Sequence, residues 1–131
     1  MSRAEQSTKL DLERIIFIGR TFEEYLDMFS LSVAELKGKR ILDCPAGACS
    51  FTAVGNASGL NITAADIAYY HSNEDLYDKG IQDVAHAMEH METAKTNYIW
   101  DYFNDIEGLR KHRLSALNHC AKDMKQLSER Y

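Results

Sequence analysis

The sequence lacks the features that mark several classes of protein. Its cysteines, Cys44, Cys49 and Cys120, are odd in number and form no CxxC pair, which argues against a disulfide framework or a zinc knuckle and favours a reducing compartment. No apolar run is long enough to span a bilayer, and the first residues contain no apolar segment of a secretion signal. We therefore expect a cytoplasmic protein without a membrane partner.

An excess of positive charge is also absent. The 131 residues include 15 lysines and arginines against 20 acidic residues, which gives a formal net charge of -5. Nucleic acids are bound through a broad basic face, so a nucleic-acid partner is not expected. The dense basic cluster "RKHR" at 110–113 points in several directions around a helix, and we interpret it as exposed surface.

What the sequence does contain fits a single α/β domain over residues 1–131. A composition of 45% hydrophobic and 27% charged residues is ordinary for such a domain. The order of the patterns predicts an N-terminal helical region at 1–39, a βαβ unit at 40–71 and a helical region at 72–131. No internal repeat or linker interrupts this order.

The βαβ unit follows a first helix, "TFEEYLDMF", whose start is marked by a capping box of Thr21 and Glu24. The segment "RILDC" predicts a strand, "SFTAVGNASG" a short helix closed by Gly59, and "LNITAADIA" a second strand that leads to Asp66. Such a short strand, helix and strand predict parallel strands joined by a right-handed crossover.

Two long helices are predicted after Ser72. The first has Gly80 as a weak point and an apolar stripe of Tyr77, Ile81, Val84, Met88, Met91 and Tyr98. Asn104 and Glu107 frame the start of the second as a capping pair. Its apolar face is formed by Ile106, Leu109, Ala116, Leu117, Cys120, Met124 and Leu127.

The stretch "ILDCPAGACSF" places small residues directly after the first strand. Such a strand leaves free backbone N–H groups and a positive dipole at the start of the next helix, where anions or carboxylates bind. Gly47 lets a ligand approach the backbone, and Asp66 ends the next strand, where an acid accepts hydrogen bonds from ribose hydroxyls. Only one glycine of G-x-G-x-x-G is present, which favours a ligand with an adenosine and a carboxylate but no phosphates.

"ILDCPAGACSFTA" followed by "NITAADIAY" resembles the first half of a class I S-adenosylmethionine-dependent methyltransferase, in particular a bacterial group whose turn reads Asp-Cys-Pro-small-Gly. The resemblance implies a partial Rossmann-like methyltransferase fold with a predominantly helical C-terminal part. Asp43 would then lie near the amino group of the cofactor, Asp66 would hold the ribose, and Ile67 or a following residue would line the adenine. The implied cofactor-binding residues are Asp43, Cys44, Pro45, Ala46, Gly47, Ala48, Asp66, Ile67 and Tyr69.

The implied function is that of an S-adenosylmethionine-dependent methyltransferase-like protein that binds S-adenosylmethionine or S-adenosylhomocysteine. The later strands of the family have no counterpart here, so we expect a truncated or partner-completed cofactor-binding portion, and no catalytic residue is assigned. One alternative is a non-enzymatic helical dimerisation or interaction module derived from that fold. Another is a nucleotide-binding oxidoreductase fragment, against which the missing glycines count.

Other constellations favour structural interpretations. "HAMEH", His86 to His90, matches an inverted zinc-protease pattern, but the histidines lie opposite the apolar stripe and beside Asp83. We interpret them as solvated helix surface and assign no metal site. The aromatic run "NYIWDYF" at 97–103 is interpreted as core or interface. Cys49 stands near a helix start that could lower the pKa of its thiol, but a buried small residue is the expected role.

The resemblance also predicts an oligomer. The first strand of this fold has a neighbour on each side, whereas one edge of "RILDC" would be open in this chain. We expect a homo-oligomer or a partner chain to cover that edge. Light scattering at high protein concentration measures the mass of the particle, and a strictly monomeric protein would contradict the prediction.

Overall fold

A computed structural model of the protein describes residues 11–94, 96 and 102–131. It contains helices and strands in the order α1 Phe22–Phe29, α2 Val33–Leu36, β1 Arg40–Asp43, α3 Phe51–Ala57, β2 Asn61–Ala64, α4 Asn73–Ala94 and α5 Ile106–Gln126. Short 3-10 turns lie at Leu12–Arg14, Ile67–Tyr70 and Ser128–Arg130. The protein is thus mainly helical with a βαβ unit, and the α/β expectation is confirmed at this level. None of the helices in these residues is apolar enough over a sufficient length to cross a membrane.

In the described residues the sheet consists of β1 and β2, which pair in parallel with Arg40 opposite Asn61 and Asp43 opposite Ala64. Because side chains alternate along a strand, Asp43 and Ala64 share one face, where both are buried. The opposite face carries Leu42, which is 66% exposed. One face of the sheet therefore packs against the protein, and the other meets solvent.

Several local signals are confirmed. Thr21 and Glu24 form the predicted capping box of α1, in which each side chain accepts a hydrogen bond from the other residue's backbone N–H. The second strand ends at Ala64, just before Asp66, as the pattern indicated. Gly59 follows α3 with a φ of 90°, a conformation that favours glycine. Sequence-local rules therefore account for the βαβ unit and its entry helix.

The predicted apolar stripe of α4 is partly wrong. Leu76 and Gly80 are buried together with Val84 and Met88, whereas Tyr77 and Ile81 are exposed. Gly80 does not break the helix, because it lies directly against Leu117 of α5: a Cβ there would stand 2.5 Å from Cδ1 of that leucine. The close approach of α5 therefore sets which face of α4 is buried. Tyr98, at the end of the predicted stripe, lies outside the described residues.

The start of α5 also differs from the prediction. Asp105, not Asn104, caps the helix, and its side chain accepts a hydrogen bond from the backbone N–H of Gly108. Asn104 instead adopts a left-handed conformation with a φ of 67°. The predicted apolar face is confirmed for Leu109, Ala116, Leu117, Cys120 and Met124, which are buried. Leu127 follows the end of the helix and is exposed.

The buried apolar residues in the described part of the chain form distinct clusters, the smallest of which is Val84, Met88 and Leu109 between α4 and α5. One joins Phe22 of α1, Phe51 of α3 and Ile62 of β2. Another joins the segment before α1 to the two long helices, with buried Phe17, Ala48, Ala68, Leu76, Leu117, Cys120 and Met124. Ala48 belongs to the turn after β1, so this second part of the core holds the turn against α4 and α5.

A buried ion pair links the first helix to the last. Nη1 of Arg113 lies 2.8 Å from Oε1 and 3.0 Å from Oε2 of Glu24, and the two side chains are only 11% and 3% exposed. Burial raises the pKa of Glu24, but Arg113 and the Thr21 backbone N–H outweigh burial and hold it below its usual range. Arg113 also lies over the ring of Phe103. The interpretation of "RKHR" as exposed surface is therefore wrong for Arg113.

We expect Arg113→Met to lower the free energy of unfolding by about 3 kcal/mol, because the buried Glu24 carboxylate loses its buried ion-pair partner and keeps Arg20, whose side chain is 46% exposed. Arg110→Met is the matched control: Arg110 pairs with Glu107 at the surface, where such pairs contribute about 0 to 1 kcal/mol. Urea denaturation measures both. Equal losses in the two variants would contradict the prediction.

The stability contributed by Glu24 also depends on pH. Because the pKa of Glu24 is lowered on folding, its contribution to the free energy of unfolding is present above the usual carboxyl pKa and lost as pH falls through the folded value.

Candidate functional site

The carboxyl ends of the two strands are joined by backbone hydrogen bonds. The N–H of Ala65 donates to the carbonyl of Asp43, and the N–H of Ala46 donates to the carbonyl of Ala65, each over 2.9 Å. The turn after β1 and the segment after β2 therefore meet. This junction brings Asp43, Gly47 and Asp66 into one place, as the pairing of parallel strands led us to expect.

Asp66 closes the turn from the side of β2. Its Oδ2 accepts a hydrogen bond from the N–H of Gly47 at 2.9 Å, and its Oδ1 accepts one from the N–H of Ala68 at 2.8 Å. The hydroxyl of Tyr69 donates to the carbonyl of Gly47 at 2.7 Å. Gly47 has a φ of 53°, in the left-handed region that glycine tolerates. Asp66 and Tyr69 thus shape the turn, although each carboxylate oxygen retains a lone pair for a further donor.

Four backbone N–H groups of the turn are not free to bind the predicted anion. Those of Ala46 and Gly47 donate to Ala65 and Asp66 as described, that of Cys49 donates to the carbonyl of Ala46, and that of Ser50 donates to the carbonyl of Arg20. The Ser50 hydroxyl accepts from the backbone of α1 instead of capping α3. The expectation is therefore wrong at these four positions, because the protein itself uses their N–H groups.

A carboxylate oxygen is left without a partner at the same place. Asp43 is 8% exposed, and its Oδ1 accepts a hydrogen bond from the hydroxyl of Tyr25 at 3.1 Å. Its Oδ2 is buried and has no hydrogen-bond partner. Burial raises the pKa of Asp43, the Tyr25 hydrogen bond opposes that rise, and the negative charge of Asp66 adds to it. In its ionised form a buried carboxylate of this kind is stabilised by a cation or a hydrogen-bond donor, and without one burial favours the protonated form.

The neighbouring thiols are not activated. Sγ of Cys49 accepts hydrogen bonds from the backbone N–H of Arg20 at 3.2 Å and from the Tyr25 hydroxyl at 3.3 Å. Burial nevertheless raises the pKa of the Cys49 thiol. Burial also raises the pKa of Cys120, whose thiol faces the carbonyl of Gly47, to about 12. A lowered pKa at Cys49 is therefore contradicted, and both groups are neutral thiols at pH 7.

An extended segment before α1 lies directly on the turn. A Cβ on Gly19 would stand 2.2 Å from the backbone of Ala48 and Cys49, so only glycine allows this approach. The backbone N–H of Phe17 donates to Oδ2 of Asp83 on α4 at 2.7 Å, which ties the segment down. Neither this segment nor Tyr25 was predicted to belong to the site. Two features of the sequence could have indicated this contact. One is Gly19, just before the capping box, and the other is Asp83 on α4, whose side chain is half-buried rather than solvated.

The remaining predicted site residues divide into buried and exposed groups. Ala46 and Ala48 are buried in the turn, whereas Cys44 and Pro45 are exposed and joined by a cis peptide bond. Ile67 is 54% exposed beside Asp66, and Tyr70 is also exposed. The junction therefore combines the buried carboxylate of Asp43 with the exposed side chains of Ile67 and Tyr70 beside the end of β2.

Other features of the described residues lie elsewhere. His86 and His90 are exposed on α4 with their rings 4.7 Å apart. No group of three or more potential metal ligands comes together in residues 11–94, 96 and 102–131. A groove of about 570 Å³ lies between α4 and α5 and is lined by residues that include Glu74, Tyr77, Asn118 and Lys122. None of its lining residues belongs to the junction of the strands.

Comparison with known proteins finds one similar protein, whose function is not given by its name. No protein-family model and no solved structure matches the chain. A protein of Methanocaldococcus jannaschii, named only as uncharacterized, is 32% identical over 123 residues, which are 93% of this chain and 55% of that protein. The chain therefore spans about half the length of this curated relative.

The unpartnered oxygen of Asp43 has a measurable consequence for stability. Because the pKa of Asp43 is raised on folding, its contribution to stability is greatest below the usual aspartate pKa and decreases as pH rises toward the folded value. We expect Asp43→Asn, which removes the buried charge, to raise the free energy of unfolding at pH 7 by about 0.5 to 2 kcal/mol. Thermal denaturation across pH 3 to 8 measures this gain, which should shrink in acid. A destabilised variant at pH 7 would contradict the prediction.

Proposed function

We propose that the junction at the carboxyl ends of β1 and β2 binds S-adenosylmethionine, and that the chain is the cofactor-binding portion of an S-adenosylmethionine-dependent methyltransferase. The observation that carries this proposal is the buried Oδ2 of Asp43, which has no partner within the protein. The parallel strands joined through α3 support a Rossmann-like arrangement around it. The resemblance of "ILDCPAGACSFTA" to that family supports it independently.

The charge of the junction selects the class of ligand. Asp43 and Asp66 are close enough for the charge of one to raise the pKa of the other. A carboxylate without a partner in a buried place is stabilised by a cation that also donates hydrogen bonds. S-adenosylmethionine carries an ammonium, a sulfonium and one carboxylate, so its net charge is positive. The residues present fit this ligand when Asp43 faces the ammonium and the ligand's carboxylate points away from both acids.

The same groups disfavour a dinucleotide. A pyrophosphate is bound through free backbone N–H groups and is repelled by carboxylates. Here the N–H groups of Ala46, Gly47, Cys49 and Ser50 donate within the protein, and two carboxylates lie at the turn. The four engaged N–H groups and the two carboxylates therefore count against the oxidoreductase alternative.

Residues beside Asp66 supply what the rest of the ligand needs. The remaining lone pairs of Asp66 can accept hydrogen bonds from ribose hydroxyls, and the exposed side chain of Ile67 offers an apolar surface for a purine. When bound, the cofactor would supply a transferable methyl group on its sulfonium. The contribution of these residues is to hold and orient the ligand, which is where proximity gives its rate advantage.

The interaction module remains a second candidate function, and a different observation favours it. The outer face of the sheet carries the exposed Leu42, and no strand in the described residues pairs with the second edge of β1. A second copy or another chain could cover this surface. A stable oligomer that fails to bind the cofactor product would support this function instead.

Calorimetric titration with S-adenosylhomocysteine tests the proposal. This ligand carries the ammonium that Asp43 would face, whereas methylthioadenosine has the same nucleoside without the amino-acid end. We expect the protein to bind S-adenosylhomocysteine and Asp43→Asn to weaken that binding about 10- to 100-fold, as for a lost hydrogen bond between charged groups. Affinity for methylthioadenosine should not change.

Asp78→Asn provides the matched control, because it removes an exposed acid of α4. It should leave both affinities as they are. No binding of S-adenosylhomocysteine by folded protein at millimolar concentration would contradict the proposed function. An equal loss for both ligands in Asp43→Asn would contradict the assignment of Asp43 to the ammonium.

A further inference from the structure

The hydroxyl of Tyr25 lies beside the unpartnered carboxylate. Tyr25 belongs to α1, and its single hydroxyl proton faces Oδ1 of Asp43 at 3.1 Å and Sγ of Cys49 at 3.3 Å. A carboxylate is a much stronger acceptor than a thiol sulfur, so the proton is directed mainly toward Asp43. The hydroxyl thus occupies one oxygen of the carboxylate and leaves the other, Oδ2, without a partner.

Aromatic packing places this hydroxyl independently of the hydrogen bond it makes. The ring of Tyr25 packs against Phe51 with 4.8 Å between centroids and against Phe29 with 5.5 Å. Phe51 in turn stacks on Phe22 of α1. The position of the ring is therefore set by the core, and the hydroxyl is presented to Asp43 from a fixed support.

We infer that Tyr25 is a positioning residue, whose hydroxyl holds Oδ1 of Asp43 so that Oδ2 faces the cationic group of the ligand. This inference rests on the proposed function. A carboxylate has two equivalent oxygens and rotates readily about its terminal torsion. A donor fixed on one oxygen removes that equivalence and presents the other oxygen in a single direction. The hydroxyl also favours the ionised form of Asp43, which is the form that attracts a cation.

The other titratable groups around Asp43 do not take over this role. Those whose charge interacts with it are Cys49 in the turn, Asp66 after β2, Tyr69 in the following 3-10 turn, Cys120 on α5 and Tyr131 at the end. Burial raises the pKa of both thiols and of both tyrosines, so these four groups are neutral at pH 7. Asp66 adds negative charge. The Tyr25 hydroxyl is the donor to the Asp43 side chain in the described residues.

Tyr25→Phe tests the inference, because it removes the hydroxyl and keeps the ring packing. Carbon-13 NMR of labelled aspartate carboxyls measures the pKa of Asp43 in the free protein, with the signal assigned from Asp43→Asn. We expect the pKa of Asp43 to rise, since the hydrogen bond that lowers it is gone. Tyr77→Phe is the matched control: its hydroxyl donates to Asn118 between α4 and α5, and its loss should not move the signal.

Binding provides the second readout. In Tyr25→Phe the affinity for S-adenosylhomocysteine should fall about tenfold at pH 6, and the acid limb of its pH profile should move to higher pH. Methylthioadenosine, which lacks the ammonium, should bind as before. A merely structural role for Tyr25 would weaken both ligands equally and leave the pH profile in place, which would overturn the inference.

Cys49→Ala is a second variant, which is predicted to shift the pKa of Asp43 in the opposite direction from Tyr25→Phe. It keeps the inference testable if Tyr25→Phe does not fold. It removes the competing acceptor, so the Tyr25 proton is directed fully at Asp43 and the pKa of Asp43 should fall. An unchanged pKa of Asp43 in both folded variants would overturn the inference whatever the ligand does. Failure of the original protein to bind S-adenosylhomocysteine would instead overturn the proposed function, and the carboxyl titration distinguishes the two results.

Discussion

The ion pair between Glu24 and Arg113 joins parts of the chain that are 89 residues apart, and the candidate site depends on it. The sheet has two strands of four residues each, too few to be stable alone. α1 and α5 must therefore hold the unit from opposite ends of the sequence. α1 carries Tyr25 to the end of β1, and the residues before it lie on the turn. The pair thus acts together with the packing of Tyr25 on Phe51 and the hydrogen bond from Phe17 to Asp83, which hold these two parts of the site in place.

The turn after β1 combines a satisfied backbone with an unsatisfied side chain. Hydrogen bonds within the protein engage the N–H groups of Ala46, Gly47, Cys49 and Ser50, which makes the backbone rigid without any ligand. Asp43 is the exception, because one of its oxygens is buried without a donor. A buried group of this kind reduces stability, and proteins retain such groups where a ligand completes the interaction. The backbone N–H groups therefore stabilise the turn, whereas the side-chain oxygen of Asp43 gives it the capacity to bind a cation.

Local patterns were sufficient for the parts of the structure that adjacent residues determine. The capping box of α1, the two strands and the positions of Asp43 and Asp66 follow from spacing and residue type. Long-range packing determined the rest: the buried face of α4 is set by Leu117 of α5, which is why Tyr77 was wrongly placed inside. Arg113 was misread for the same reason, because its partner Glu24 is visible in the sequence only as a capping residue.

The sequence pattern of a strand, a small-residue turn and a helix is common to sites for phosphates and to sites for cofactors without them. The pattern alone therefore cannot choose between these ligands, and the distinction lies in which polar atoms remain after the turn has folded. Free N–H groups would select an anion. Here a buried carboxylate oxygen of Asp43 remains unpartnered, with the other oxygen held by Tyr25 and a second acid nearby, and this charge favours a cation. The charge of one unpartnered atom thus carries more functional information than the fold of the turn.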